Sequence, residues 1–106
     1  MTTTVAVLLE ATFATANGAA YTSSGCITAI DKLTATNESG AIATVTAQLI
    51  SPDGTRTASF AKTLPAGATW PFPEVVGHTL AAGGKLIMTC PNADAVRVRA
   101  SGRQFT

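Results

Sequence analysis

Apolar and polar residues alternate in short runs along this chain, and each run stops at a turn signal. The signals are Asn17-Gly18, Ser23-Ser24-Gly25, Asn37 to Gly40, Pro52-Asp53-Gly54, Pro65-Ala66-Gly67, Ala81 to Gly84 and Pro91-Asn92. They recur at intervals of roughly 8 to 14 residues, which is the spacing of an all-β sandwich or barrel, and a helical period is hard to find anywhere. The runs between them predict strands over Val5 to Glu10, Thr12 to Thr15, Ile27 to Thr36, Ile42 to Ile50, Arg56 to Thr63, Lys85 to Thr89 and Ala95 to Ala100, with an eighth over Arg103 to Thr106. The stretch LTATNESGAIATVTAQLISPDGTRT, residues 33 to 57, reads as two hairpins in succession.

Alternation also assigns faces. In ATVTAQLI, Val45, Ala47 and Leu49 fall on one side and Thr44, Thr46 and Gln48 on the other; in AVRVRAS, Val96, Val98 and Ala100 oppose Arg97, Arg99 and Ser101. Phe60 and Leu64 share a parity with Lys62 between them, so that strand is expected near an edge, where an inward charge discourages further pairing. In Trp70-Pro71-Phe72-Pro73-Glu74 the prolines forbid an interior ladder, which predicts an extended crossing loop that lays Trp70 or Phe72 over one end of the sandwich. The expected fold is therefore all-β, a single antiparallel β-sandwich of jelly-roll or immunoglobulin-like kind spanning residues 1–106. The Thr-rich residues 1–4 are expected to fray or to lie in a subunit contact.

Composition narrows the function classes. The chain has 106 residues, 46% hydrophobic and 12% charged, enough to fold one core and too few charges for a disordered segment. Much of the apolar content is Ala, and there are only one Trp, one Tyr and four Phe, so the core should be thin unless a second chain adds to it. A formal net charge of +1 supplies no field that would gather the protein on nucleic acid or anionic lipid, and no run is apolar for long enough to span a bilayer. Neither partner is expected. MTTTVAVLLEATF has no basic residue before its apolar run and is interrupted by Glu10, so it is read as mature protein and not as a signal peptide. Cys26 and Cys90 have no metal or redox spacing and are read as two reduced, buried thiols, with a disulfide as the alternative.

No catalytic constellation stands out. His78, the only histidine, has no GxSxG elbow or Cys-His signature to serve and is read as a surface or loop residue. The carboxylates Glu10, Asp31, Glu38, Asp53, Glu74 and Asp94 are scattered singly, and Glu38, Asp53 and Asp94 are read as turn residues. No catalytic, metal-binding or cofactor-binding residue is assigned. AAGGK, residues 81 to 85, lacks a phosphate-loop frame and reads as a hairpin turn. The one clustered charge is Arg97, Arg99 and Arg103, which share a face and suit either an acidic protein partner or a solvated outer surface. Trp70 and Phe72 are core plugs or, held rigid by their prolines, interface anchors.

The succession ITAIDKLTATNESGAIATVTAQLISPDG, LPAGATW, PEVVGHTLAAGGKLIMTC and ADAVRVRASGRQ resembles small virion structural proteins of tailed bacteriophages, over roughly residues 27 to 104. The pattern shared is a strand ending in an Asn-containing turn, a VTxxL strand, a PAG-type turn, an E-hydrophobic-V-G-x-x-L stretch, an AG turn and a closing A-V-x-V-x-x-S-G strand. Lys85 and Arg103-Gln104 depart from it at positions where acidic or apolar residues are commoner. The resemblance implies a non-enzymatic protein made in the host bacterial cytoplasm and assembled onto the virion. The expected role is capsid decoration, a homo-oligomer with a trimer favoured, bound to the major capsid protein; a neck or tail adaptor is the alternative. A host-glycan-binding sandwich using Tyr21, Trp70 and Phe72 is a third reading. The residues expected at the interface are Arg97, Arg99, Arg103, Trp70 and Phe72.

Overall fold

In the computed structural model, which describes residues 2–92 and 94–106, the chain forms strands β1 (Thr3–Phe13), β2 (Ala19–Thr22), β3 (Ile27–Asn37), β4 (Ala43–Ile50), β5 (Thr57–Leu64), β6 (Thr69–Trp70), β7 (Thr79–Leu80), β8 (Lys85–Thr89) and β9 (Val96–Phe105). They make two antiparallel sheets. The first has the order β1-β9-β3-β6, with β7 also paired to β3, and the second the order β2-β8-β4-β5. The two pack together as a β-sandwich, the architecture that the alternation predicts.

The period of two decides what each strand buries. Val45 and Ala47 of β4 are buried and Leu49 is half-buried, while Val96, Val98 and Ala100 of β9 are buried beneath a partly open row of Arg97, Arg99 and Ser101. Phe72 and Val75, Ile30 and Leu33 of β3, Leu64 of β5 and Leu86 and Met88 of β8 are fully buried with them, and Leu8, Leu9, Leu80, Cys90 and six alanines, Ala14, Ala35, Ala43, Ala47, Ala95 and Ala100, pack into the same core. Each of these larger side chains contributes about 1.5–3 kcal/mol by leaving water. The edge position expected for the Lys62 strand holds: β5 pairs only with β4.

Several expectations are corrected. Asn37 to Gly40 and Ala81 to Gly84 reverse the chain, but the strands on either side belong to different sheets, so both are arches and not hairpins; β4–β5 is a true hairpin. A turn signal marks a reversal without saying whether the strands that follow will pair with each other. The strands expected over Val5 to Glu10 and Thr12 to Thr15 merge into β1 through bulges between Val7 and Thr12, where Ala11 has φ 41°. β9 likewise runs without a break through Gly102. Residues 2–4 are not frayed: Thr2 and Thr106 exchange backbone hydrogen bonds of 2.8 and 2.9 Å, and Thr3 and Thr4 pair with Phe105 and Gln104. Residue 1 lies outside the described residues. The short β2 and β7 carry too few residues for a periodic signal.

The Trp70 to Glu74 segment is a compact turn and not an extended crossing. Trp70 is already in β6 opposite Ala35, and the amides of Val75 and Val76 both donate to the Phe72 carbonyl, at 3.0 and 3.2 Å. Phe72 takes φ 45° and is fully buried. The Asn-containing turn is a lock. The buried Asn37 side chain donates to the carbonyls of Ala41 (2.8 Å) and Leu64 (2.9 Å) and accepts from the Ser39 amide (3.0 Å) and hydroxyl (2.7 Å). It thereby joins the end of β3 to the end of β5, satisfying carbonyls that burial would otherwise leave costly.

Asp53 caps the β4–β5 hairpin as expected of a turn residue. Its Oδ1 accepts from the Ser51 hydroxyl (2.7 Å), the Thr55 amide (3.0 Å) and the Thr55 hydroxyl (2.8 Å). Ser51 first, then Thr55, hold the carboxyl down at about 2, against 3.8 for a free side chain. Because the folded value is the lower one, this contribution to stability is full above the unfolded value and is lost as pH falls toward the folded one. The difference in Tm between the wild type and Asp53→Asn is expected to be constant at neutral pH and to shrink between about pH 4 and about pH 2. Thermal melts across that range check this, and a difference independent of pH would refute it.

Candidate interaction surface

The outer face of the first sheet holds the arginine row. β9 runs between β1 and β3, so Arg97, Arg99 and Arg103 lie along the middle of the sheet with a neighbour on each side. Each meets a carboxylate. Arg97 Nε donates to Glu38 Oε2 at 2.9 Å, Arg99 Nε to Glu10 Oε1 at 3.2 Å, and Arg103 Nε and Nη2 to the two oxygens of Asp31 at 2.9 and 3.0 Å. The forked Asp31 pair raises the Arg103 guanidinium further above its usual range, by hydrogen bonding and charge.

Two of the arginines also cover aromatic rings. Arg97 sits 4.1 Å above Phe13 and Arg103 sits 5.7 Å from the Phe105 ring centre. Arg97 Nη1 donates to the Ala11 carbonyl at 2.6 Å, which pins the bulge in β1. Three positive charges are thus matched by three negative ones. Such a stripe has little field at a distance, so steering of an acidic partner or of nucleic acid is not what its charges provide. The sequence reading placed Glu38 in a turn and left Glu10 and Asp31 unassigned. What it lacked was the cross-strand register that sets each beside an arginine.

Trp70 and Phe72 do not join this row. Trp70 is half-buried and packs against the core; its indole Nε1 donates to Glu74 Oε1 at 3.2 Å, and Lys62 Nζ lies 4.2 Å over its ring. Phe72 has no exposed surface and is a core residue, so its expected place at an interface is withdrawn. Tyr21 lies on β2 in the other sheet, where its hydroxyl accepts from Gln104 Nε2 at 2.7 Å and meets Thr28 Oγ1 at 2.8 Å. Tyr21, Trp70 and Phe72 therefore form no common stacking platform.

Two further groups escaped the sequence reading. Ser23, Cys26 and Thr28 form a buried cluster next to Tyr21, with the Ser23 hydroxyl 2.7 Å from the Cys26 carbonyl and 2.8 Å from Thr28 Oγ1. Hydrogen bonds from Ser23 and then Thr28 lower the Cys26 thiol from its ordinary value against the opposing effect of burial. Cys26 and Cys90 are both free and buried, in agreement with the reading of two reduced thiols. The second group is apolar and exposed: Val5 is 82% accessible, Val7 46% and Ile27 45%. Register sets Phe105 between Thr3 and Ile27, so these residues share one end of the outer face with the Arg103–Asp31 pair.

His78 is an exposed turn residue, as expected, with its ring 6.2 Å from that of Phe60. It borders an open groove of about 420 Å³ together with Leu49, Pro52, Arg56 and Leu80. The nearby Ser51 hydroxyl is already committed to Asp53 and to the Arg56 amide. Among the described residues no three His, Cys, Asp or Glu side chains converge as metal ligands, and no helix is long and apolar enough to cross a membrane. Comparison with family models, with curated proteins and with solved structures found no match for the chain.

Proposed function

We propose that the chain is a non-enzymatic structural protein of a bacteriophage virion, made in the bacterial cytoplasm and bound to the capsid shell as a decoration protein. The observation that carries this reading is the outer face of the first sheet. It is a β surface on which three Arg–carboxylate pairs lie in a row beside the small residues Ala29, Thr34 and Thr36, bordered by exposed Val5, Val7 and Ile27. Such a face suits docking on a protein surface, since Ala and Thr lose little side-chain entropy on contact and pre-formed ion pairs need no rearrangement. The sequence resemblance to virion structural proteins points the same way. Each copy adds modest interface area to the major capsid protein, and many copies multiply it.

Replacing Arg97, Arg99 and Arg103 together by Ser is expected to weaken attachment to the shell at least tenfold while lowering Tm only slightly, because exposed ion pairs contribute little to folding. Co-sedimentation with particles and thermal melts measure the two effects. A large loss of stability with attachment intact would make the arginines structural and remove them from the interface. The runner-up role is a neck or tail adaptor, which the same surface would serve at lower copy number. Catalytic turnover abolished by His78→Ala would overturn the non-enzymatic reading.

A further inference from the structure

Sheet edges decide how a β-sandwich meets its neighbours, because an edge presents unpaired N–H and C=O groups. Three of the four edges here are guarded. β2 has four residues. β5 places Lys62 opposite Val45, on the parity that faces inward. The far side of β3 is occupied by β6, by β7 and by the 77–78 turn, where Gly77 donates to the Ile30 carbonyl and Ile30 to that of His78. β1 is different. It is 11 residues long, pairs on one side only, and carries no charge, Gly or Pro from Thr3 to Leu9.

The register fixes which groups of β1 are free. Thr2 and Thr106 exchange both of their backbone bonds. In an antiparallel ladder such pairs alternate, so Thr4 and Ala6 also face β9, while the N–H and C=O of Thr3, Val5 and Val7 point away from it. The same three residues have exposed side chains. Beyond Val7 the bulges turn the strand, ending the flat part of the edge.

We propose that this edge pairs with the same edge of a second copy, antiparallel and about a two-fold axis at Val5. Thr3 then lies opposite Val7 of the second copy, Val5 opposite Val5, and Val7 opposite Thr3, so every outward donor and acceptor of these residues finds a partner. Val5 meets its own counterpart as a cross-strand pair on the outer face, flanked on each side by a Val7–Thr3 pair. No charge faces a like charge: Glu10 falls beyond the end of the paired segment and is already held by Arg99. The contact is self-complementary in the way a two-fold interface requires, and it joins the two first sheets into one. This favours a dimer as the building block over the trimer expected from the sequence. The pairing supplies the homo-oligomer that the resemblance to virion structural proteins implies, and rests on the proposed shell role for its purpose; its test uses the isolated chain, so its failure leaves shell attachment to be judged separately.

The experiment is sedimentation equilibrium of the full chain and three variants. Val5→Pro removes only an outward N–H and spares the ladder to β9. Val5→Lys and Val5→Glu each place two like charges at the two-fold axis. The wild type is expected to double its mass as concentration rises. Val5→Pro should stay monomeric with its circular dichroism spectrum unchanged, and Val5→Lys and Val5→Glu should each dimerise at least roughly tenfold more weakly. An equimolar mixture of the two charged variants should recover the dimer, which no contact elsewhere on the molecule predicts. A wild type that is monomeric throughout, or dimers that survive Val5→Pro, would overturn the proposal. A monomeric wild type that binds purified shell protein through residues 3 to 7, and loses it in Val5→Pro, would overturn it in favour of another protein's strand.

Discussion

Phe72→Ala is expected to lose about 3–5 kcal/mol of stability, the range for truncating a buried phenylalanine. Phe72 is the largest fully buried side chain in a core that otherwise holds aliphatic side chains, Met88 and Cys90. Truncation to Ala leaves a cavity the size of the ring, and the cost grows with whatever part of it the neighbours do not fill. Phe72 also fixes a turn. A non-glycine residue at φ 45° costs on the order of 1 kcal/mol, which the burial of the ring offsets, and the turn carries Val75 into the core on the same side. In a domain with an expected 5–15 kcal/mol in total, such a loss lowers Tm by roughly 15 °C or more. Differential scanning calorimetry checks it, with Phe72→Leu as the control that restores most of the volume. A change of only a few degrees in Phe72→Ala would mean that the ring does not hold the core.

Gly102→Ala is expected to be nearly as damaging for the opposite reason. Gly102 lies in the middle of β9, between Ala6 of β1 and Ile30 of β3, just where β3 bulges between Ile30 and Lys32. A Cβ there would run into the Ala29 carbonyl oxygen, with Leu8 Cδ1 only 3.3 Å away. Because the obstacle is backbone, no rotamer change relieves it and the central ladder must part. A loss on the order of 3 kcal/mol is expected, at the upper end for overpacking. Urea unfolding of Gly102→Ala measures it. The same substitution at Gly40, which has open space around it, serves as the control. Equal effects at the two positions would refute the close approach.

These two residues show what the sequence made legible. The strands, their faces in β4 and β9 and the edge position of β5 follow from alternation, because burial on one side of a pleated strand leaves a period of two. Phe72 was legible as a plug but not as a turn, since the prolines beside it exclude a ladder without specifying φ. Gly102 read as a break between two strands; only the packed β3 backbone reveals it as a place where chains approach. The arches at Asn37 to Gly40 and Ala81 to Gly84 were legible as reversals, but pairing partners far apart in sequence decide which sheet receives the next strand.

The candidate surface was half legible. The shared face of Arg97, Arg99 and Arg103 follows from parity alone. Their pairing with Glu38, Glu10 and Asp31 depends on register between strands 59 to 89 residues apart in the chain. Val5 and Val7 were hidden for another reason. In TTVAVLLE both parities are apolar, so hydrophobicity cannot say which is inside; here Ala6 and Leu8 face inward and Val5 and Val7 face water, and past the bulge Leu9 is buried as well.

The role proposed for this protein is that of a repeated part of a virus particle. Its most direct test is to purify particles from cells that make the chain and to measure its copy number against the major shell protein by quantitative mass spectrometry. A decoration protein is expected at hundreds of copies per particle, since it repeats with the shell lattice. A few to a few tens of copies would move it to the neck or tail, and its absence from purified particles would contradict the account.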